Sequence, residues 1–147
     1  MKKLLVLCSI FMIAFFAKEA DAACFVELFR NDSGVYSLDL DSLTQKNGNV
    51  LAWVKIIKRG KQEKVKGKII ASEIFHYAIK PDKSQYQATS VALYDKNGSM
   101  IDTAQQAVNE YRFEDIIPGT IGEKLFGIII DIYEYKQSLE NDNGIEN

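Results

Sequence analysis

The chain has 147 residues, 18 basic and 20 acidic, for a formal net charge of −2. That near balance excludes the strongly basic character of a typical nucleic-acid-binding domain. One histidine and two cysteines are too few for a zinc site or a Cys/His catalytic pair.

Lys2-Lys3, an apolar run of 14 residues from Leu4 to Ala17, and the small-residue triplet Ala20-Asp21-Ala22 are the three parts of a secretory signal peptide. As a helix the run reaches about 21 Å at ~1.5 Å per residue, short of a ~30 Å hydrocarbon core. Residues 1–22 are therefore expected to direct export and be removed; the alternative is an uncleaved N-terminal anchor. Cleavage leaves 125 residues with 15 basic and 18 acidic side chains, enough for one domain that buries about two-thirds of its unfolded surface. Cys8 departs with the signal, so Cys24 remains alone and no intrachain disulfide can form. Three readings of Cys24 stay open: lipidation at the new N-terminus, pairing with a second chain, or an incidental free thiol. Asp21 weakens the first, because an aliphatic residue is usual there in a lipoprotein signal.

Short strands come first in the mature chain. Phe25–Arg30 reads as a strand ended by Asn31-Asp32-Ser33-Gly34, and Val35–Leu40 as its successor. Asn47-Gly48 tolerates the positive φ of a tight hairpin. Val50–Lys58 places Val50, Ala52, Val54 and Ile56 on one side and Leu51, Trp53 and Ile57 on the other. That pattern predicts a central strand covered at least partly on both faces. Lys68–Ile79 reads as one long strand broken by Pro81-Asp82-Lys83. Gln85–Tyr94 and Ser99–Thr103 then form a hairpin across Asp95-Lys96-Asn97-Gly98.

Beyond Pro118-Gly119 the period changes to helical. Thr120-x-x-Glu123 is a capping box that predicts a helix from Ile121. Ile121, Leu125, Ile128, Ile129, Ile132 and Tyr133 form its apolar stripe, which needs the sheet as a surface to cover. Residues 23–137 are thus expected to form the domain, and the polar, acidic residues 138–147 a flexible tail.

Catalytic motifs are scarce. His76 lies inside a strand and reads as structural. Gly60 and Gly67-Lys68 lack phosphate-loop spacing, and Asp95-Lys96-Asn97-Gly98 lacks the distal glutamate of a calcium loop. Glu110, Glu114 and Asp115 read as solvated surface rather than a glycosidase pair. No catalytic residue, metal site or cofactor is expected. The distinctive feature is charge: Lys55, Lys58, Arg59, Lys61, Lys64, Lys66 and Lys68 fall within 14 residues, with only Glu63 against them. From Phe113 onward the balance reverses, giving two ends of opposite sign. Lys58, Arg59, Lys61, Lys64, Lys66 and Lys68 are the candidate partner-binding residues, for an acidic protein segment, a sulfated polysaccharide or lipid headgroups. The competing reading is a lysine-rich loop that keeps strand edges soluble.

Trp53-Val54-Lys55-Ile56, Tyr94-Asp95-Lys96-Asn97-Gly98 and Ile117-Pro118-Gly119-Thr120-Ile121-Gly122-Glu123-Lys124-Leu125 together resemble the surface-adhesin protein E family. The resemblance implies an α+β fold, an antiparallel sheet of about six strands with a C-terminal helix packed on one face, and a bacterial envelope location. It also implies binding of host extracellular-matrix or plasma proteins, as some members do, with no enzymatic activity. Family members often tether helix to sheet through cysteines; the strand around Phe75–Lys80 and the helix from Ile121 to Tyr135 contain none. The expected partner is a protein, with a homodimer through an apolar or edge-strand surface as a further expectation. Nucleic acid is not an expected partner, and contact with a membrane is expected only if Cys24 is lipidated. The rival reading is a periplasmic accessory or inhibitor-like protein that binds another envelope component.

Overall fold

The structure, a computed structural model, describes residues 23–107, 110 and 112–143; the expected signal peptide and the last four residues of the tail lie outside them. Ten strands precede one long helix: β1 Phe25–Arg30, β2 Gly34–Asp39, β3 Thr44–Lys46, β4 Asn49–Lys58, β5 Lys64–Val65, β6 Lys68–Ile69, β7 Ser72–Lys80, β8 Gln85–Tyr94, β9 Met100–Gln105, β10 Glu114–Asp115 and α1 Ile121–Asn143.

Eight strands make one antiparallel sheet in the order β1-β2-β4-β7-β8-β10, with β3 also on β4 and β9 also on β8. Because β7 occupies the other edge of β4, β3 lies end to end with β2 along the same edge. In the same way β9 and β10 share one edge of β8. The sheet thus has six strand positions, two of them built from two segments.

Local chemistry sets the turns. Asn31 Oδ1 accepts from the backbone N–H of Ser33 (2.9 Å) and Gly34 (3.0 Å) to close the β1–β2 hairpin. Asn47 and Gly48 both hold positive φ, 53° and 77°, which matches the right-handed strand twist between Lys46 and its partner Asn49. The expected Lys68–Ile79 strand is interrupted. Ile70 N–H donates to Glu63 O and Ala71 N–H to Tyr94 O, and these bonds separate the small β5–β6 hairpin from β7.

One face of the sheet carries the core. Leu38, Val50, Val54, Ile79 and Ile129 are fully buried, with Leu43, Leu125 and Phe126 nearly so. Burying a side chain of this size stabilises by roughly 1.5–3 kcal/mol, and α1 supplies Leu125, Phe126 and Ile129 in one turn. Phe126, absent from the expected stripe, is central to it. Its ring lies 5.1 Å from Tyr77, edge on, and 4.5 Å from Tyr86. Ile121, placed in the stripe by spacing, is instead 40% exposed.

The helix start is capped as Thr120 and Glu123 predict, with a small shift. Glu123 N–H donates to Thr120 Oγ1 (3.2 Å), while Glu123 Oε2 accepts from Gly119 N–H (2.8 Å), one residue before the usual partner. At the other end α1 continues to Asn143, past the Gln137 boundary expected from composition. Ser138 Oγ donates to Tyr135 O and Gln137 Nε2 to Glu140 Oε2, and after Gly127 the helix contains no glycine or proline.

β4 is central as expected, and its two faces are covered unequally. Its Val50, Ala52 and Val54 are fully buried beneath α1, but on the opposite face Trp53 is 36% and Ile57 44% exposed. A single helix can cover only one face of the sheet, so the second apolar face of this central strand is open.

Candidate interaction surface

The basic run occupies the connection between β4 and β7, the two central strands of the sheet. Lys58 ends β4, Arg59 and Lys61 lie in the following loop, Lys64 is in β5, Lys66 in the turn and Lys68 in β6. The sheet edges are β1 on one side and β9 with β10 on the other. Lys64 and Lys68 lie on a separate two-stranded sheet, β5-β6, and Lys66 reaches Asp102 of the edge strand β9, so their placement is compatible with edge protection as well as with partner binding.

The six candidate residues divide by their partners. Lys58 Nζ lies 3.1 Å from Glu63 and 3.6 Å from Glu73. Burial draws its pKa down, but the two carboxylates outweigh that and hold it above the ordinary lysine value. Lys66 Nζ reaches Asp102 at 3.0 Å, a hydrogen bond that in turn holds the Asp102 carboxyl below its usual range. Arg59, Lys61, Lys64 and Lys68 are exposed and take part in no ion pair among the described residues.

A fifth free cation joins them from elsewhere in the chain. Ala71 N–H donates to Tyr94 O (2.8 Å), which sets the β8–β9 turn beside the basic connection. Lys96 in that turn, together with Arg59, Lys61, Lys64 and Lys68, lines a groove of about 700 Å³. Lys66 lies outside the lining. In the sequence Lys96 belongs to a turn motif, and the pairing of distant strands places it in the charge cluster.

The open face of the sheet holds a second group. The Trp53 and His76 rings are 4.7 Å apart on paired residues of β4 and β7. Thr89 Oγ1 donates to His76 O at 3.1 Å and lies 2.6 Å from His76 Nδ1. The direction of the Nδ1 contact follows the imidazole tautomer. Burial lowers the His76 pKa below 6.5, so the ring is neutral at pH 7. Cys24 is an exposed free thiol immediately before β1. Among the described residues no group of three or more His, Cys, Asp or Glu side chains gathers to hold a metal ion, and no helix is long and apolar enough to cross a membrane.

The family model for surface-adhesin protein E matches residues 25–129, and the chain belongs to that family. Among solved structures it is similar to Haemophilus influenzae protein E, at 16% identity and a TM-score of 0.53 over 76% of this chain and 87% of that one. Crystal form II of the same protein gives 16% identity and a TM-score of 0.53 over 77% and 91%. Protein E from non-typeable Haemophilus influenzae gives 15% and 0.50 over 81% and 82%. At this identity the likeness is one of fold. No curated protein sequence matches the chain.

Proposed function

We propose that this protein is an exported, non-enzymatic adhesin of the bacterial surface that engages a host extracellular-matrix or plasma protein through the basic end of its sheet. The carrying observation is the set of unpaired cations, Arg59, Lys61, Lys64 and Lys68, gathered on the one connection between the two central strands. Family membership supports the adhesive role. Export follows from residues 1–22, with cleavage near Ala23. An unacylated Cys24 fits this reading, because β1 begins at Phe25 and a lipid on Cys24 would leave no spacer between membrane and sheet. Self-association through the open face carrying Trp53 and Ile57 belongs to the same reading.

Surface plasmon resonance against a panel of immobilised matrix and plasma proteins tests the adhesive role directly. Reversing Lys61, Lys64 and Lys68 to glutamate should weaken binding, and the deficit should shrink as salt is raised beyond ~0.15 M, where screening already limits exposed charges to about 8 Å. Equal binding by wild type and triple variant at low salt would remove the basic end from the site. Protease digestion of intact cells separates this reading from its rival: a chain protected until the outer membrane is opened works in the periplasm.

A further inference from the structure

We propose that the groove between the β5–β6 hairpin and the β8–β9 turn binds a sulfated polysaccharide chain. This rests on the basic end being the binding surface, and it names the chemistry recognised there. Arg59, Lys61, Lys64 and Lys68 from the β4–β7 connection and Lys96 from the β8–β9 turn line the groove, together with Gln62 and Asn97. Asp95 is the one carboxylate in the lining, and its Oδ1 is engaged by the backbone N–H groups of Asn97 and Ser99, both at 2.9 Å. The charge of Lys58, also in the lining, is offset by Glu63 and Glu73. Five unpaired cations therefore converge on one open space.

The backbone around the groove decides between anionic ligands. An acidic peptide taken up by strand addition needs unpaired N–H and C=O groups along a strand. Here the bordering groups bond to one another: Lys58 N–H to Ala71 O, Ala71 N–H to Tyr94 O, Ile70 N–H to Glu63 O and Asp95 N–H to Ser99 O. These groups are closed to an added strand. Lysine ammoniums are compact point charges on flexible stems, without the fixed fork of arginine, and so follow the irregular spacing of sulfates along a sugar chain. Gln62 and Asn97 can meet ring hydroxyls, and Ile57 and Ile69 in the same lining offer apolar surface to ring C–H groups. A volume of about 700 Å³ falls within the ~300–1,000 Å³ typical of small-molecule sites and suits a few sugar units of a chain that continues into solvent.

Calorimetric titration of the exported protein with a heparin hexasaccharide, the same hexasaccharide after chemical desulfation, and a polyglutamate peptide tests this. Binding of the sulfated sugar only, weakening with salt, is expected. Lys61→Ala and Lys96→Ala should each weaken it roughly three- to tenfold, as loss of a charge-assisted contact does. Lys66→Ala, whose ammonium is held by Asp102 outside the lining, should stay within about twofold. All three positions are exposed, and unchanged circular dichroism would show that the variants fold. Equal binding of the desulfated sugar, equal binding of polyglutamate, or a Lys66→Ala loss matching Lys96→Ala would each overturn the assignment. Matrix-protein binding without heparin binding would overturn the groove and leave the adhesive role standing. Heparin binding sensitive to Lys96 but without matrix-protein binding would uphold the groove and remove the adhesive role.

Discussion

The two faces of β4 are built from neighbouring residues of one strand and have opposite fates. Val50, Ala52 and Val54 lie fully buried beneath α1, while Trp53 and Ile57, one position out of phase, remain 36% and 44% exposed. Both rows are largely apolar, Lys55 interrupting only the exposed one, so hydrophobicity alone does not fully decide which becomes core. The decision comes from the C-terminal helix, which has one stripe and can cover one face. The sheet-helix contact is also the part of the fold that dispenses with a cysteine tether, so α1 depends on its packing and its cap. Polar bonds add to these at the far end, where Tyr133 Oη donates to Gln45 Oε1 (3.1 Å) and Lys136 Nζ to Leu43 O (3.4 Å).

The largest effect that sharpens this comparison is on the covered face. Leu125 is 3% exposed, and Leu125→Ala should cost about 2–5 kcal/mol through lost transfer energy and a residual cavity. Urea denaturation measures it, and an unchanged midpoint would mean that α1 does not dock on the sheet. Next in size is the cap: Thr120→Ala removes the acceptor for Glu123 N–H and should cost about 1 kcal/mol. Thr120→Ser, which keeps the oxygen, should recover most of that.

On the open face the expected effect is smaller. Ile57→Ala should cost less than about 1 kcal/mol, because nearly half of the side chain already meets water. A loss as large as that of Leu125→Ala, growing with protein concentration, would break the comparison. It would mean that a second copy covers this face in solution, and sedimentation equilibrium of wild type and variant would then show the difference in association.

Much of this architecture was legible because its determinants are local. β1 and β8 begin and end where the sequence places them, since Asn31–Gly34 and Asp95–Gly98 each make turns with their own side chains. Asn47-Gly48 and Thr120-x-x-Glu123 likewise act within a few residues. What escaped was tertiary. Alternation through Ile69 and Ala71 looks continuous, but bonds to Glu63 and Tyr94 break it. Phe126 follows Leu125 directly and was passed over in favour of Ile121, although the aromatic cluster of Tyr77 and Tyr86 needs it. The two-residue strand β10 has no pattern to read, and composition suggested a tail where hydrogen bonding sustains six more helical residues. The basic run was visible at once as a run. Its division into paired and free cations was not, because Asp102 lies 36 residues from Lys66, and Lys96 joins only through the pairing of β7, β8 and β9.

The smallest predicted effect reads the open face through its own reporter. Trp53 is the only tryptophan and His76 the only histidine, and their rings are 4.7 Å apart. Burial lowers the His76 pKa below the ordinary 6.5, so the unfolded chain takes up this proton more readily than the folded one. The resulting contribution to stability is present in full above pH 6.5 and is lost as pH falls below that value through the folded pKa. An imidazolium against the indole quenches its emission, and Trp53 fluorescence should fall with a midpoint below pH 6.5. His76→Gln should abolish that transition and flatten the corresponding part of the stability curve. A midpoint at or above 6.5 would show the ring to be freely solvated, and the Trp53–His76–Thr89 arrangement on the open face would then not hold in solution.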